Sequence, residues 1–382
     1  MENCFIVMDN QVEYFNQAGN IISCFIISRE SGFISNTLIN FIGMKRKHLV
    51  TIKDIAADLK ISVSTVSRAF RNTFDVSKET RDAVLAKGEE LNYKPNLNAR
   101  GLVNYKSRNI AVILPTITNF YFSTAISGIQ DVAYENGFNI IFYVTGESTE
   151  RELHIAQSLS LSSIDGLLVS ITSESEKCDH FSKIIDYGLP IVFFDRVSDS
   201  LITSKVTQND YEGAFTAVEH LVKQGYRRIA YIGGPLSLVF SRERLRGYLA
   251  ALKRYGLPVE QSLIIHSDFN QASGGADAEK LLGYGENKPD AIFAVNDRKA
   301  IGAMLKMKER GIKIGKEIGV IGFTNDPMAG IISPGLTTME EPALEVGKQS
   351  CELLLKHISK KNFQPKSIIL SGKLIVREST VR

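Results

Sequence analysis

The sequence predicts a doubly wound α/β core in two lobes, preceded by a small all-α segment. Three observations carry this reading. From Asn109 onward, short apolar runs alternate with amphipathic helical stretches, the pattern of buried parallel strands covered by helices. Gly137, Gly188, Gly225, Gly256 and Gly311 stand where those helices should end, as C-terminal glycines do. Residues 51–92, by contrast, read as three capped helices. A length of 382 residues fits two or three domains, and 44% hydrophobic with 23% charged residues is ordinary for a soluble globular chain.

Residues 1–43 are rich in Ile, Asn, Phe and Ser, and lack the basic, apolar and small-residue order of a signal peptide. Lys45-Arg46-Lys47 after Met44 looks like a natural start, so we expect 1–43 to be an upstream-translated extension without a fold of its own. A small effector or partner segment is the other reading. Thr51 caps a first helix, with Asp54 placed to reach back to it. Ile52, Ile55, Ala56 and Leu59 share one face. Ser62 caps a second helix over Val63–Phe70, with Val66 and Phe70 inward and Ser64, Thr65, Ser67 and Arg68 polar. Such a pair is the geometry of a helix-turn-helix, whose second helix enters the major groove; a plain capped hairpin is the alternative. Ser77 opens a third helix to about Asn92, with Ala83, Val84, Ala86 and Leu91 facing the other two. Pro95 ends it. Asn96 to Val103 forms a short hinge helix, too short to hold without a partner.

The core strands are expected at Ile110–Leu114, Ile140–Val144, Gly166–Val169, Ile191–Phe194, Ile229–Ile232, Ala291–Val295 and Gly319–Phe323. The helices between them are expected near Phe122–Glu135, Arg151–Leu161, Tyr211–Gln224, Arg244–Tyr255, Gln271–Leu282 and Arg298–Arg310. That is too many strands for one small sheet.

The run Leu91-Asn92-Tyr93-Lys94-Pro95-Asn96, with Ala99 and Leu102, resembles the hinge of the lactose/galactose repressor (LacI/GalR) family. Asp54-Ile55-Ala56 and Ser64-Thr65-Val66-Ser67-Arg68 resemble its headpiece. The likeness continues through Val192-Phe193-Phe194-Asp195-Arg196, Arg244, Gly247-Tyr248, Asn296-Asp297 and Leu336-Thr337-Thr338. Lys60 departs from it, standing at a turn where the family commonly has Gly, at a cost of about 1 kcal/mol if φ is positive. The resemblance implies a headpiece over 44–94, a hinge over 95–106, and a two-lobed, periplasmic-binding-protein-like effector and dimerisation core over 107–382. The chain would cross between lobes near 206, 335 and 363.

It further implies a homodimer on pseudo-palindromic operator DNA. Val63, Ser64 and Arg68 would face base edges, Arg68 by bonding guanine O6 and N7 or else a phosphate. Thr65, Ser67 and Asn72 are backbone candidates, Thr51 is a further DNA-binding residue, and Asn96 and Ala99 belong to the hinge. Leu102 matches a minor-groove wedge, with burial at the junction to the core as its alternative. For the effector, Tyr121, Phe122, Asp195, Arg196, Arg244, Asn296, Asp297 and Phe323 lie at strand ends, where open α/β sheets bind ligands. Aromatic faces with paired acid and base suit a hydroxyl-rich sugar; a structural ion pair is the other reading of Asp195 and Arg196. Thr324 stands where relatives often carry an acid. Arg242, Arg244 and Arg246 suit either a phosphorylated sugar or a solvated helix face. A purine or a protein partner would leave the regulator reading intact.

Between residues 44 and 108 basic side chains outnumber acidic ones, although the whole chain carries only +3. A polyanion partner therefore fits this segment alone. Cys4, Cys24, Cys178 and Cys351 form neither a disulfide framework nor a metal site, which suits the cytoplasm. No apolar run spans a membrane. The six histidines lie apart, and the HExxH, GxSxG and GxxxxGK[ST] patterns are all missing, so no enzyme and no cofactor is expected. The remaining alternative is a transport-type sugar-binding protein, which shares such a core without the headpiece.

Overall fold

A computed structural model describes residues 50–70, 75–91, 93, 107–175, 178–360 and 364–382, with the backbone of three short strands before them. Those strands, β1 (Phe5–Met8), β2 (Gln11–Phe15) and β3 (Ile21–Ile26), pair in order as an antiparallel meander. The rest of 1–43 and the hinge lie outside the described residues.

The chain divides into two compact units, 1–96 and 97–382. In the first, α1 (Ile52–Leu59), α2 (Val63–Phe70) and α3 (Lys78–Glu90) close on Ile55, Ala56, Val66, Ala69, Val76 and Val84. The capping box is present. Thr51 Oγ1 accepts from Lys53 N at 3.2 Å, and Asp54 accepts from Thr51 N at 2.7 Å. Ser62 caps α2 through Thr65 N at 3.0 Å. Lys60 takes φ 55°, the left-handed turn its position demands. Ala83 and Ala86 do not face the bundle as expected; both are exposed. The inward stripe of α3 runs Val84, Gly88, Leu91, one turn apart, and Gly88 leaves room for the Phe70 ring.

The second unit holds two six-stranded sheets. The N-terminal lobe orders its strands β14-β8-β7-β6-β4-β5, all parallel, with β4 (Asn109–Leu114), β5 (Asn139–Val144), β6 (Gly166–Val169), β7 (Ile191–Phe194), β8 (Ser204–Gln208) and β14 (Ser367–Leu370). Helices Phe120–Glu135 and Ala343–Ser359 cover one face and Thr149–Ser158 and Asp179–Asp186 the other. The C-terminal lobe orders β10-β9-β11-β12-β13-β15, from β9 (Ile229–Gly233), β10 (Ile264–His266), β11 (Ala291–Ala294), β12 (Gly319–Thr324), β13 (Thr337–Glu340) and β15 (Lys373–Ile375). Only β15 is antiparallel. Helices Asp210–Lys223 and Val239–Arg254 cover one face, Gln271–Leu282 and Asp297–Glu309 the other.

The chain passes between lobes at Asn209, at Glu341-Pro342 and at Ser371-Gly372, later at each crossing than the expected 206, 335 and 363. Residue 206 is inside β8, and 335 precedes β13. All five expected strand-preceding glycines have positive φ, from 66° to 93°. Ile140–Val144 is not buried as expected, because β5 is an edge strand with one row facing water.

Candidate DNA-reading helix and effector cleft

In α2, Val63, Ser64 and Arg68 are exposed, and Ser67 is half-buried between them. With spacings of one and four residues, these side chains share a face of the helix. Arg68 Nη1 bonds Asp75 Oδ2 at 2.7 Å, an exposed pair that can exchange for a nucleic-acid acceptor at small cost. Thr65 Oγ1 bonds Ser62 Oγ at 2.8 Å, so its hydroxyl serves the cap. Thr51 is exposed at the start of α1. Asn72, Asn96, Ala99 and Leu102 lie outside the described residues.

In the core, a cavity of about 80 Å³ opens between the lobes. Its walls come from the loops that follow strand C-termini, where both sheets point their ends at each other. Asn119, Tyr121 and Phe122 follow β4; Asp195 and Arg196 follow β7; Phe240 and Arg244 follow β9. Phe269 follows β10, Asn296 and Arg298 follow β11, Thr324 ends β12 and Glu341 follows β13. Asn119 and Asn296 cap the helices after their strands, accepting from Phe122 N and Lys299 N, each at 2.8 Å.

Arg244 is 3% exposed and is the hub of the site. Its Nε donates to Asp210 Oδ1 at 2.7 Å, Nη1 to the Val295 carbonyl at 2.6 Å, and Nη2 to Glu341 Oε1 at 2.5 Å. The guanidinium lies 3.6 Å from the Phe323 ring centre. Burial works against its charge, and the Asp210 and Glu341 carboxylates more than offset that, so its pKa stands above normal. The acids carry the cost of crowding. Burial raises Asp210 to about 6, against the pull of Arg244. It raises Asp195 to about 7, against Arg196. Arg196 Nη1 holds Glu147 at 2.8 and 3.0 Å, and its guanidinium sits 5.3 Å from the Phe269 ring centre on the opposite lobe. Ser237 Oγ donates to the Ser173 carbonyl, also across the cleft. These contacts hold the lobes together around a volume below the ~300 Å³ of an ordinary ligand pocket, so a ligand must part them to enter.

Two expected residues are not in the wall. Asp297 turns its carboxylate to Asp326 N at 2.8 Å and Thr338 Oγ1 at 2.6 Å, and burial raises it to about 7. Phe323 lies behind Arg244. The arginines at 242, 244 and 246 do not cluster, since alternate helix positions point apart. Arg242 caps the Leu236 and Ser237 carbonyls, and Arg246 pairs with Glu243. Among the described residues no cluster of acids, His or Cys could hold a metal, and no helix is long and apolar enough to cross a membrane.

Residues 51–96 match the profile of the lacI family of bacterial regulatory proteins, and 218–380 that of a periplasmic binding protein-like domain. Catabolite control protein A of Priestia megaterium is 31% identical over 332 residues, covering 87% of this chain and 99% of its own. The chain belongs to the LacI family. The HTH-type transcriptional repressor PurR of Vibrio atlanticus is 32% identical over 336 residues, with 87% and 99% coverage. A lac repressor dimer bound to operator and the anti-inducer ONPF superposes with a TM-score of 0.76 at 26% identity, over 88% of this chain and all of that one. The CelR–cellobiose complex gives 0.66 at 26% identity, over 86% and 99%. As a LacI-family member the protein is a DNA-binding transcriptional regulator and not an enzyme.

The sequence missed Asp210 and Glu341 because they follow β8 and β13, whose Ser-Lys-Val-Thr-Gln and Thr-Thr-Met-Glu runs are too polar to read as core strands. Asn119 could have been found. An Asn immediately before the apolar run Phe120-Tyr121-Phe122 is a capping signal.

Proposed function

We propose that this LacI-family protein is a cytoplasmic homodimeric repressor whose operator affinity is set by a hydroxyl-bearing carbohydrate between the lobes. One observation carries the ligand reading. The cleft wall combines aromatic rings with buried polar groups left without hydrogen-bond partners: Tyr121 Oη accepts and donates no hydrogen bond among the described residues, and Arg196 Nε makes none, facing Asp195 Oδ2 only at 4.0 Å. Unmet buried polar groups cost about 1–3 kcal/mol each, and a ligand that meets them recovers that energy. Asp195 and Glu341 accept hydroxyl protons and Asn296 can do either, the mixed set a sugar ring needs. Asn296, Asp195, Arg196, Arg244, Tyr121 and Phe122 are the effector contacts; Asp297 and Phe323 support them from behind.

On DNA, Val63, Ser64 and Arg68 read base edges, while Thr51, Thr65, Ser67 and Asn72 hold phosphates. Asn96, Ala99 and Leu102 belong to a hinge helix that enters the minor groove. The functional divisions are an extension over 1–43, a headpiece over 44–94, a hinge over 95–106 and the core over 107–382. A purine effector is the second reading, favoured by the Phe240 and Phe269 rings, stacked at 5.5 Å and 29° beside the cavity. A thermal-melt screen of the full chain against sugars, sugar derivatives and purines tests both. At 100 times its Kd a ligand adds about 2.7 kcal/mol, which is several degrees. Melting that no compound shifts overturns effector control.

A further inference from the structure

We infer that the effector carries an anionic group, a phosphate or a carboxylate, and that Arg298 with the N-terminus of helix Asp297–Glu309 receives it. This rests on the cleft being the effector site. Three arginines line that cavity. Arg196 is neutralised by Glu147, and Arg244 by Asp210 and Glu341. Arg298 is exposed at the mouth, and among the described residues it has no ion-pair or side-chain hydrogen-bond partner.

Its position adds to its charge. Arg298 stands two residues after the Asn296 cap, and both line the cavity, so the N-terminal end of a 13-residue helix opens there. The first N–H groups of a helix have no partner within it and attract negative charge. The acid in that turn, Asp297, does not compete, because its carboxylate is taken up by Asp326 N and Thr338 Oγ1.

An independent observation points the same way. Both buried atoms without hydrogen-bond partners in the cavity wall are able to donate: the Tyr121 hydroxyl, and Arg196 Nε–H, which faces Asp195 Oδ2 at 4.0 Å, beyond hydrogen-bond reach; both residues are 6% exposed. Nε–H can only donate. What these two donors lack is therefore an acceptor. A sugar's hydroxyls satisfy Asp195 and Glu341, and an attached phosphate or carboxylate supplies acceptor oxygens to the arginine side. Forked guanidinium contacts suit both anions.

The test compares matched pairs on the full chain by calorimetry: glucose with glucose 6-phosphate and glucuronate, and ribose with ribose 5-phosphate. Inorganic phosphate alone serves as the control for anions bound elsewhere, the headpiece included. An anionic member should bind at least tenfold more tightly than its parent, and Arg298→Gln should remove that advantage while Arg298→Lys keeps most of it. The phosphate and carboxylate members tell the two anions apart. Unliganded melts of each variant separate a lost contact from a lost fold. Equal affinity for parent and anion, an advantage untouched by Arg298→Gln, or matching binding of inorganic phosphate overturns the proposal. Binding of an uncharged sugar or a purine base alone overturns it while leaving the cleft as effector site. If no compound binds at all, both fall.

Discussion

At the scale of single residues, the cleft is a place where charge is held out of water by very few partners. Arg244 alone joins Asp210 and Glu341, so Arg244→Met leaves two buried carboxylates without a cation. Breaking such a set costs about 3–5 kcal/mol. Chemical denaturation should show that loss, smaller at pH 5.5 than at pH 8, because Asp210, raised to about 6 by burial, takes up a proton at the lower pH. A second prediction concerns Asp297. Its folded pKa is about 7 against an ordinary 3.8, so the folded state holds the proton more tightly than the unfolded one. Stability from this group is full below about pH 4 and is lost as pH rises through 7. The melting temperature of the native protein relative to Asp297→Asn should therefore fall between pH 5 and pH 8. A pH-independent difference would mean that Asp297 stays charged in the fold.

At the scale of elements, the turn between α1 and α2 solves a steric problem with an unsuitable residue. Lys60 sits at φ 55° with a Cβ that glycine would not carry. Lys60→Gly should stabilise the headpiece by up to about 1 kcal/mol, read by a melt of its helical signal, with operator affinity unchanged. A loss of stability would show that the unfolded-chain entropy of glycine outweighs the relieved strain.

The same element shows what the sequence made legible. Caps at Thr51 and Ser62 and glycines after helices act through local backbone geometry, so each was readable from its neighbours alone. Strands β6 and β7 were readable to the residue because they are apolar on both faces. Strand β13 was not. Thr337 and Thr338 are fully buried only because Ser379, Thr380 and Asp297, distant in sequence, bond them. The cleft followed the same rule. Residues directly after readable strands, such as Asp195 and Asn296, were found, and Asp210 and Glu341 after the polar strands were not. Ala83 and Ala86 were misplaced because alanine satisfies either face of a helix, and only the position of Phe70 against Gly88 decides between them.

At the scale of the whole molecule, two ligands must share one set of lobe positions. Ser173–Ser237 and Arg196–Phe269 bridge the cleft directly, so occupancy of the cavity changes how the lobes meet. If that change reaches DNA, effector and operator are coupled by about 1–3 kcal/mol, a 5- to 150-fold effect on affinity. Anisotropy of labelled operator, with and without effector, should give that factor, and effector binding with and without operator should return the same one. No change in either titration would uncouple the cleft from the headpiece.

The two lobes also interleave along the chain, and this has a consequence for how the protein is made. The N-terminal lobe begins at β4 but takes Val346, Leu353 and Leu354 into its core and pairs β8 with β14. A ribosome adding about 5–20 residues per second needs roughly 8–30 s to travel from the end of β8 to the end of β14. Throughout that interval β8 has no neighbour on its outer side, and until residue 359 is made the apolar face of β4, β6 and β7 lacks the second of the two helices that cover it. The C-terminal lobe, still short of β15, is no closer to completion. A nascent chain halted before residue 343 therefore has two unfinished sheets and no finished lobe, and its open strand edges are what a chaperone would have to guard.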